Sequence, residues 1–256
     1  MSAIRLIGIG WWLQLKMRSR SAFDGILSII YPLFFASSVF FIYRQGASAS
    51  ALVAAAVGAS AMGVWSAVAT TAAGALQQER RQGTLELLVA SPTPLPLAVV
   101  PMAMSMATIG LYSLVATLLW GRFAFGIKVS FAHPVSFGLA CVVTALSVSV
   151  LGFVLAVTAV RYRGAWAFGT ALELPVWLIC GFLVPLSILP SWVRPISWLI
   201  PVTWGVGAVK GAAVGGAPWR DIGLCLAVSA VYSVIGTFLA RRLVDSARTN
   251  ATLSLT

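Results

Sequence analysis

The chain has 256 residues, 60% of them hydrophobic and only 9% charged, and a water-soluble domain of that size cannot bury so much apolar side chain. Its net charge of +11 would suit nucleic acid, but the basic residues gather at the ends of apolar runs, as the positive-inside rule expects of membrane proteins. Charge-free stretches run from Gln45 to Gln78, Leu87 to Gly121 and Pro134 to Val160; a helix needs about 20 apolar residues to cross a bilayer. The short alternating segments of a β-barrel are missing. The fold class predicted is an all-α membrane protein, since a helix satisfies its backbone hydrogen bonds within its own segment.

Residues 1–21 carry Trp11, Trp12, Leu13 and Leu15, then Lys16, Arg18 and Arg20. This segment is too short and too charged to span. It predicts an amphipathic helix on the cytosolic membrane surface, its tryptophans in the headgroup zone. No cleavable signal peptide is expected, because no apolar core ends at a cleavage site. Six spans are predicted, over 22–43, 51–76, 94–120, 134–160, 166–189 and 221–240. Pro32 should kink the first. In the second, Ala55, Ala59, Gly63 and Ala67 recur every fourth residue, so one face lets another helix approach closely. That face suits a subunit interface and packing within the chain equally well.

Between the second and third spans, residues 77–92 predict a cytosolic helix. Leu85, Leu88 and Val89 sit at helical spacing, with Glu79, Arg80, Arg81, Gln82 and Glu86 as its polar side. Pro92, Pro94 and Pro96 then mark a break and a fresh start. Arg161-Tyr162-Arg163-Gly164 reads as a tight basic turn before the fifth span. Residues 190–216, with Trp192, Pro195, Trp198, Pro201 and Trp204, are too broken for a simple span. They predict a re-entrant or extracellular helical hairpin, since irregular backbone at membrane depth must be buried in protein. Residues 241–256 form a cytosolic tail. With both termini inside, the cytosolic segments hold eleven Lys and Arg residues; Arg44, Arg122, Lys128, Arg194, Lys210 and Arg220 fall outside. The positive-inside rule favours that orientation.

Little in the chain reads as catalysis. Lys16, Lys128 and Lys210 follow Leu15, Ile127 and Val209, so no P-loop is present to hold ATP. Cys141, Cys180 and Cys225 lie far apart in apolar runs and predict reduced structural thiols. His133, the one histidine, cannot make a metal site alone and suits an interfacial cap. No His-Glu-x-x-His or serine-nucleophile elbow appears. Glu173, about two turns into the fifth span, is expensive at that depth and is a functional candidate by default. It could bind a cationic substrate, or pair with a snorkelling Arg161 or Arg163; the structural pairing is the favoured expectation.

Two stretches carry a family resemblance. The first is Glu79-x3-Gly83-Thr84-Leu85-Glu86-x-Leu88-x2-Ser91-Pro92. The second is Gly181-x3-Pro185-x3-Leu189-Pro190, followed by Pro201-Val202-Thr203-Trp204. In that order, with a surface helix, six spans and a hairpin before the last, the chain resembles the ABC-2-type permeases, membrane subunits of ATP-binding-cassette exporters. It departs from them at Val99-Val100-Pro101, where Gly-Lys is frequent, and at Ile200, where Asn or His is frequent; the subfamily and substrate stay open. The resemblance implies a half-transporter in a bacterial cell membrane, without enzymatic activity of its own. It would work with a separate ATPase chain and a second permease chain, identical or paralogous. ATP and Mg would be held by the ATPase and no cofactor by this chain. It further implies ATPase contact through Glu79, Gly83, Thr84 and Glu86, with Arg161 and Arg163 as a second contact. The cargo implied is an amphipathic drug, antibiotic or lipid-like molecule, as in multidrug resistance. Two other classes compete: a membrane scaffold that docks a soluble partner, and an ion-driven secondary transporter, whose hallmark intramembrane carboxylates reduce here to Glu173.

Overall fold

The computed structural model describes residues 3–19, 30, 33–34, 36–38, 40–41, 49–81, 83, 95–126, 133–159, 165–182, 186 and 188–250. Within them run eight defined helices: α1 (Ala3–Ser19), α2 (Ala49–Arg81), α3 (Leu95–Phe125), α4 (Pro134–Ala159), α5 (Ala165–Ile179), α6 (Val193–Leu199), α7 (Pro201–Val214) and α8 (Trp219–Asn250). No strand occurs among the described residues. Three helices are long and apolar enough to cross a membrane: Val99–Phe125, Pro134–Thr158 and Trp219–Asp245. Of the expected span at 22–43, the described positions are helical. Phe40 and Phe41 there pack on Phe125 at the end of α3, tilted and edge-on, with ring centroids 4.9 and 5.2 Å away.

α2 is the axis of the bundle, packed by α3, α4, α5 and α7. Its middle is buried on every side: Val53, Ala56, Val57, Ala59, Met62, Val64, Trp65 and Val68 are all closed off. A helix that is apolar all round belongs in an interior, and small side chains are what let four neighbours reach one helix. Ala55, Ala59 and Gly63 are buried within the chain itself, so at these positions the small face serves packing inside the subunit. At Gly110 of α3, an added Cβ would lie 2.8 Å from the Cα of Val64; the two backbones are nearly in contact. Four buried hydroxyls are settled locally: Ser60, Thr117, Thr144 and Ser149 each donate to the carbonyl four residues back, which keeps them satisfied in an apolar interior.

Several boundaries differ from the sequence expectation. The helix of the second expected span does not stop at 76. α2 runs unbroken to Arg81, so residues 77–81 are its last turns and not the start of a separate helix. Gly83, inside the stretch predicted as helical, sits in a turn with φ of 72°; residues 82 and 84–92 lie outside the described set. α5 ends at Ile179 and not near 189. At 15 residues it measures about 22 Å, short of a hydrocarbon core of about 30 Å. Its end is a left-handed glycine cap: Gly181 has φ of 75° and the Phe182 N–H donates back to the Trp177 carbonyl at 3.3 Å, the bond that closes such a terminus. Of the two tryptophans expected in the headgroup zone, Trp12 is exposed, but Trp11 turns onto α3 and its Nε1 donates to Thr108 Oγ1 at 3.0 Å.

The close crossing of α2 and α3 has a direct test. Gly110→Ala should lower the stability of the detergent-solubilised protein by about 1–3 kcal/mol, seen as a lower Tm. Gly138→Ala, where an added Cβ meets nothing within 4 Å, should leave it unchanged.

Candidate functional site

One hydrogen bond and one close backbone approach hold α2 against α5 and the segment just past it. Ser66 Oγ on α2 donates to Glu173 Oε1 on α5. Further along, α2 presents Gly58 to the Phe182 carbonyl just past the end of α5; an added Cβ there would lie 1.9 Å from that oxygen. The residue numbers fall along one helix as they rise along the other, so the pair is antiparallel. The contacts are eight residues apart on α2, about 12 Å.

Glu173 is 6% exposed. A carboxylate taken out of water needs donors to offset its lost hydration, and Ser66 supplies one. Arg161 and Arg163, the partners expected for Glu173, lie outside the described residues. The sequence signal for Ser66 was present but faint: a hydroxyl in an apolar run, opposite an acid in another. Near this pair Trp177, one helical turn after Glu173, and Trp65, beside Ser66 in the chain, are both buried. The Trp65 indole N–H finds no acceptor among the described residues.

The predicted contact residues form a separate region. Glu79 lies in the last turns of α2, roughly 20 Å along the helix from Ser66. Gly83 is exposed and an added Cβ would meet nothing within 4 Å, but its positive φ is one that L side chains rarely adopt. Thr84 and Glu86 lie outside the described residues. What the structure brings into view is that Glu79 and Ser66 share one continuous helix, so a force on one end reaches the bundle's centre without crossing a loop.

The opposite end carries the helical pair α6–α7. Ile200 joins them in extended conformation, φ −94° and ψ 116°, because the following Pro201 excludes the helical region there; Pro201 itself opens α7 at a position where its missing N–H has no consequence. The turn is closed by the Ile200 N–H on the Ser197 carbonyl at 3.0 Å, by Ser197 Oγ on Thr203 Oγ1 at 3.2 Å, and by Trp204 Nε1 on the Trp198 carbonyl at 2.9 Å. α7 is too buried for a loop lying on the surface: Val202, Val206, Val209 and Ala212 face the interior, against α2, α4 and α8. Lys210 reaches from α7 to the end of α5, its Nζ donating to the Gly181 carbonyl at 2.7 Å and the Phe182 carbonyl at 3.0 Å.

His133 stands at the start of α4, where its carbonyl accepts from the Phe137 N–H at 2.9 Å and from Ser136 Oγ at 3.0 Å; the backbone, not the imidazole, does the capping. The three cysteines are buried and unpaired. Among the described residues no group of three or more His, Cys, Asp or Glu side chains could hold a metal ion. The arrangement is one of levers and contacts: a long central helix, a partner helix pinned to it, and a buried helical pair tied to both.

Residues 5–213 match the family described as ABC-2 type transporter. No curated protein matches the chain.

The Ser66–Glu173 contact is expected to contribute about 1.5–3 kcal/mol, the range for hydrogen bonds to charged groups. A double-mutant cycle with Ser66→Ala and Glu173→Leu, read by thermal unfolding in detergent, should give a coupling above about 0.5 kcal/mol. Additive losses would mean that the two side chains do not support one another.

Proposed function

The chain belongs to the ABC-2 type transporter family, and on that footing we propose that it is the permease half of an exporter driven by a separate ATP-binding-cassette ATPase. Two permease chains, identical or paralogous, would pair in the membrane with both termini in the cytosol. ATP and Mg would be bound by the ATPase chains. The cargo is an amphipathic drug, antibiotic or lipid-like molecule moved outward.

The observation that carries this reading is the continuity of α2. It runs from the buried centre of the bundle to Glu79, and the left-handed Gly83 turns the chain directly after it. An ATPase pair that closes against Glu79, Gly83, Thr84 and Glu86, with Arg161 and Arg163 as a second contact, would push on the end of a rigid rod. Rigid helices with two discrete packings are a known means of passing such a movement on. Ser66 and Glu173 would make α5 travel with α2. On this account Glu173 is a structural pin, and a role in holding a cationic cargo is not required. A scaffold protein needs no such rod, and an ion-driven transporter needs no such docking end.

Two measurements test the reading. The chain, purified in mild detergent with the product of the adjoining gene, should bring down a protein that hydrolyses ATP, faster when transported substrate is present; no ATPase in the complex would sink the proposal. Glu79→Lys reverses the charge of the docking end. Gly83→Pro imposes φ near −65° where the turn needs 72°. Both variants should insert normally yet lose ATP-driven transport in vesicles, by at least tenfold. Unimpaired transport in either would remove that residue from the coupling route.

A further inference from the structure

The end of α5 poses a problem that the chain solves from a distance. Past Ile179 the helix is over, and the carbonyls of Gly181 and Phe182 lie beyond its hydrogen-bond ladder. Both residues are buried, and unmet carbonyls in a dry interior are costly. A local solution would be a Ser or Thr a turn away. Instead the donor is Lys210, which lies on α7 and meets both oxygens with one ammonium, at 2.7 and 3.0 Å. The Phe182 oxygen is seated in the groove that Gly58 leaves in α2, where an added Cβ would also lie 3.4 Å from Lys210 Nζ. One charged group therefore sits where α2, the end of α5 and α7 meet. Cys180, one residue past α5, makes a second tie, its thiol hydrogen-bonding with Thr203 at the start of α7.

The choice of lysine matters physically. A hydroxyl would satisfy a carbonyl equally well whether the junction was dry or wet. An ammonium bound to two carbonyls is strong when water is excluded, and it is also one of the best-hydrated side chains, a compact charge on a flexible stem. The closed junction takes this ammonium out of water at a cost that two neutral carbonyls offset only in part, so the group gains hydration when the junction opens. A hydrophobic residue would leave both carbonyls without this donor and so weaken the closed junction.

We propose that Lys210 is the positioning residue that couples the α6–α7 pair to the α2–α5 lever, holding the pair closed at rest and releasing it into water when the lever moves. The proposal rests on the exporter reading above. It predicts that transport depends on Lys210 while ATP hydrolysis on the partner chain does not.

Cys180 reports on the junction without any need for the ATPase. In a chain with Cys141→Ala and Cys225→Ala, a membrane-impermeant maleimide should label Cys180 slowly. Adding Lys210→Met should raise that rate at least tenfold, and Lys210→Arg should bring it back to within about threefold of the starting value. In vesicles containing the permease with its ATPase, Lys210→Met should keep the basal ATP hydrolysis and lose transport, and Lys210→Arg should recover transport. Labelling of Cys180 at the same slow rate in Lys210→Met would overturn the proposal. So would normal transport by that variant, or loss of transport in both variants with no change in labelling. Should Lys210→Met fail to insert, the chain with Lys210 in place decides: labelling of Cys180 must quicken when ATP replaces ADP, and no change overturns the coupling role. If no ATPase accompanies the chain at all, the exporter reading fails while the effect of Lys210→Met on Cys180 labelling still stands or falls on its own.

Discussion

The structure depends on one thin helix. In lipid, helices are not driven together by exclusion from water, so they associate where their surfaces come close enough for many weak contacts. α2 makes that possible on all its sides at once by carrying Ala, Gly and Ser through its buried middle. Where α3 crosses it, the missing side chain of Gly110 brings backbone to within contact of Val64; where the end of α5 meets it, the missing side chain of Gly58 admits a carbonyl. A larger residue at either crossing would hold a neighbour off, and contacts further along the same pair of helices would be lost with it.

Such an interior leaves few polar groups, and those that remain are informative. Most buried hydroxyls fold back onto their own helix and link nothing. Two contacts anchor α5 and the segment after it: Ser66 with Glu173, and Lys210 with the carbonyls of Gly181 and Phe182. The first joins α2 and α5 into one unit, and the second joins α7 to the segment just past it. The long arm of α2 extends from this unit to Glu79, and the α6–α7 pair is tied to its other end. On the reading proposed above, force applied at Glu79 would pass along α2 and through these contacts to the α6–α7 pair.

The resemblance in the motifs at Glu79–Pro92 and Gly181–Trp204 leads to the same family as the match over residues 5–213. That 190–216 is a broken helical segment and not a simple span was legible as well, because Pro201 interrupts the helix there. Other features were not. The break at Gly181 sits inside an apolar run with no polar residue to mark it, so hydropathy carries the fifth span on to 189, ten positions further than the helix goes. The continuation of α2 through 77–81 was hidden for the opposite reason: a change from apolar to charged residues marks where the surroundings change, and a helix can pass through that boundary intact.

What the sequence by itself determined is the solvent, the secondary structure and the family. Apolar content and charge placement settle the first, the bilayer's demand for self-satisfied backbone settles the second, and two motifs in order settle the third. What only the tertiary structure decided is which residues meet. The small face at Ala55, Ala59 and Gly63 suited a subunit interface as well as packing within the chain, because a surface that admits a close neighbour does not specify which one; the fold filled it from within. Lys210 counted in the sequence as one more positive charge on the outer side. Only folding brought its ammonium to carbonyls just past the end of another helix, 28 and 29 residues away, since no local pattern records a contact between segments that are distant in the chain.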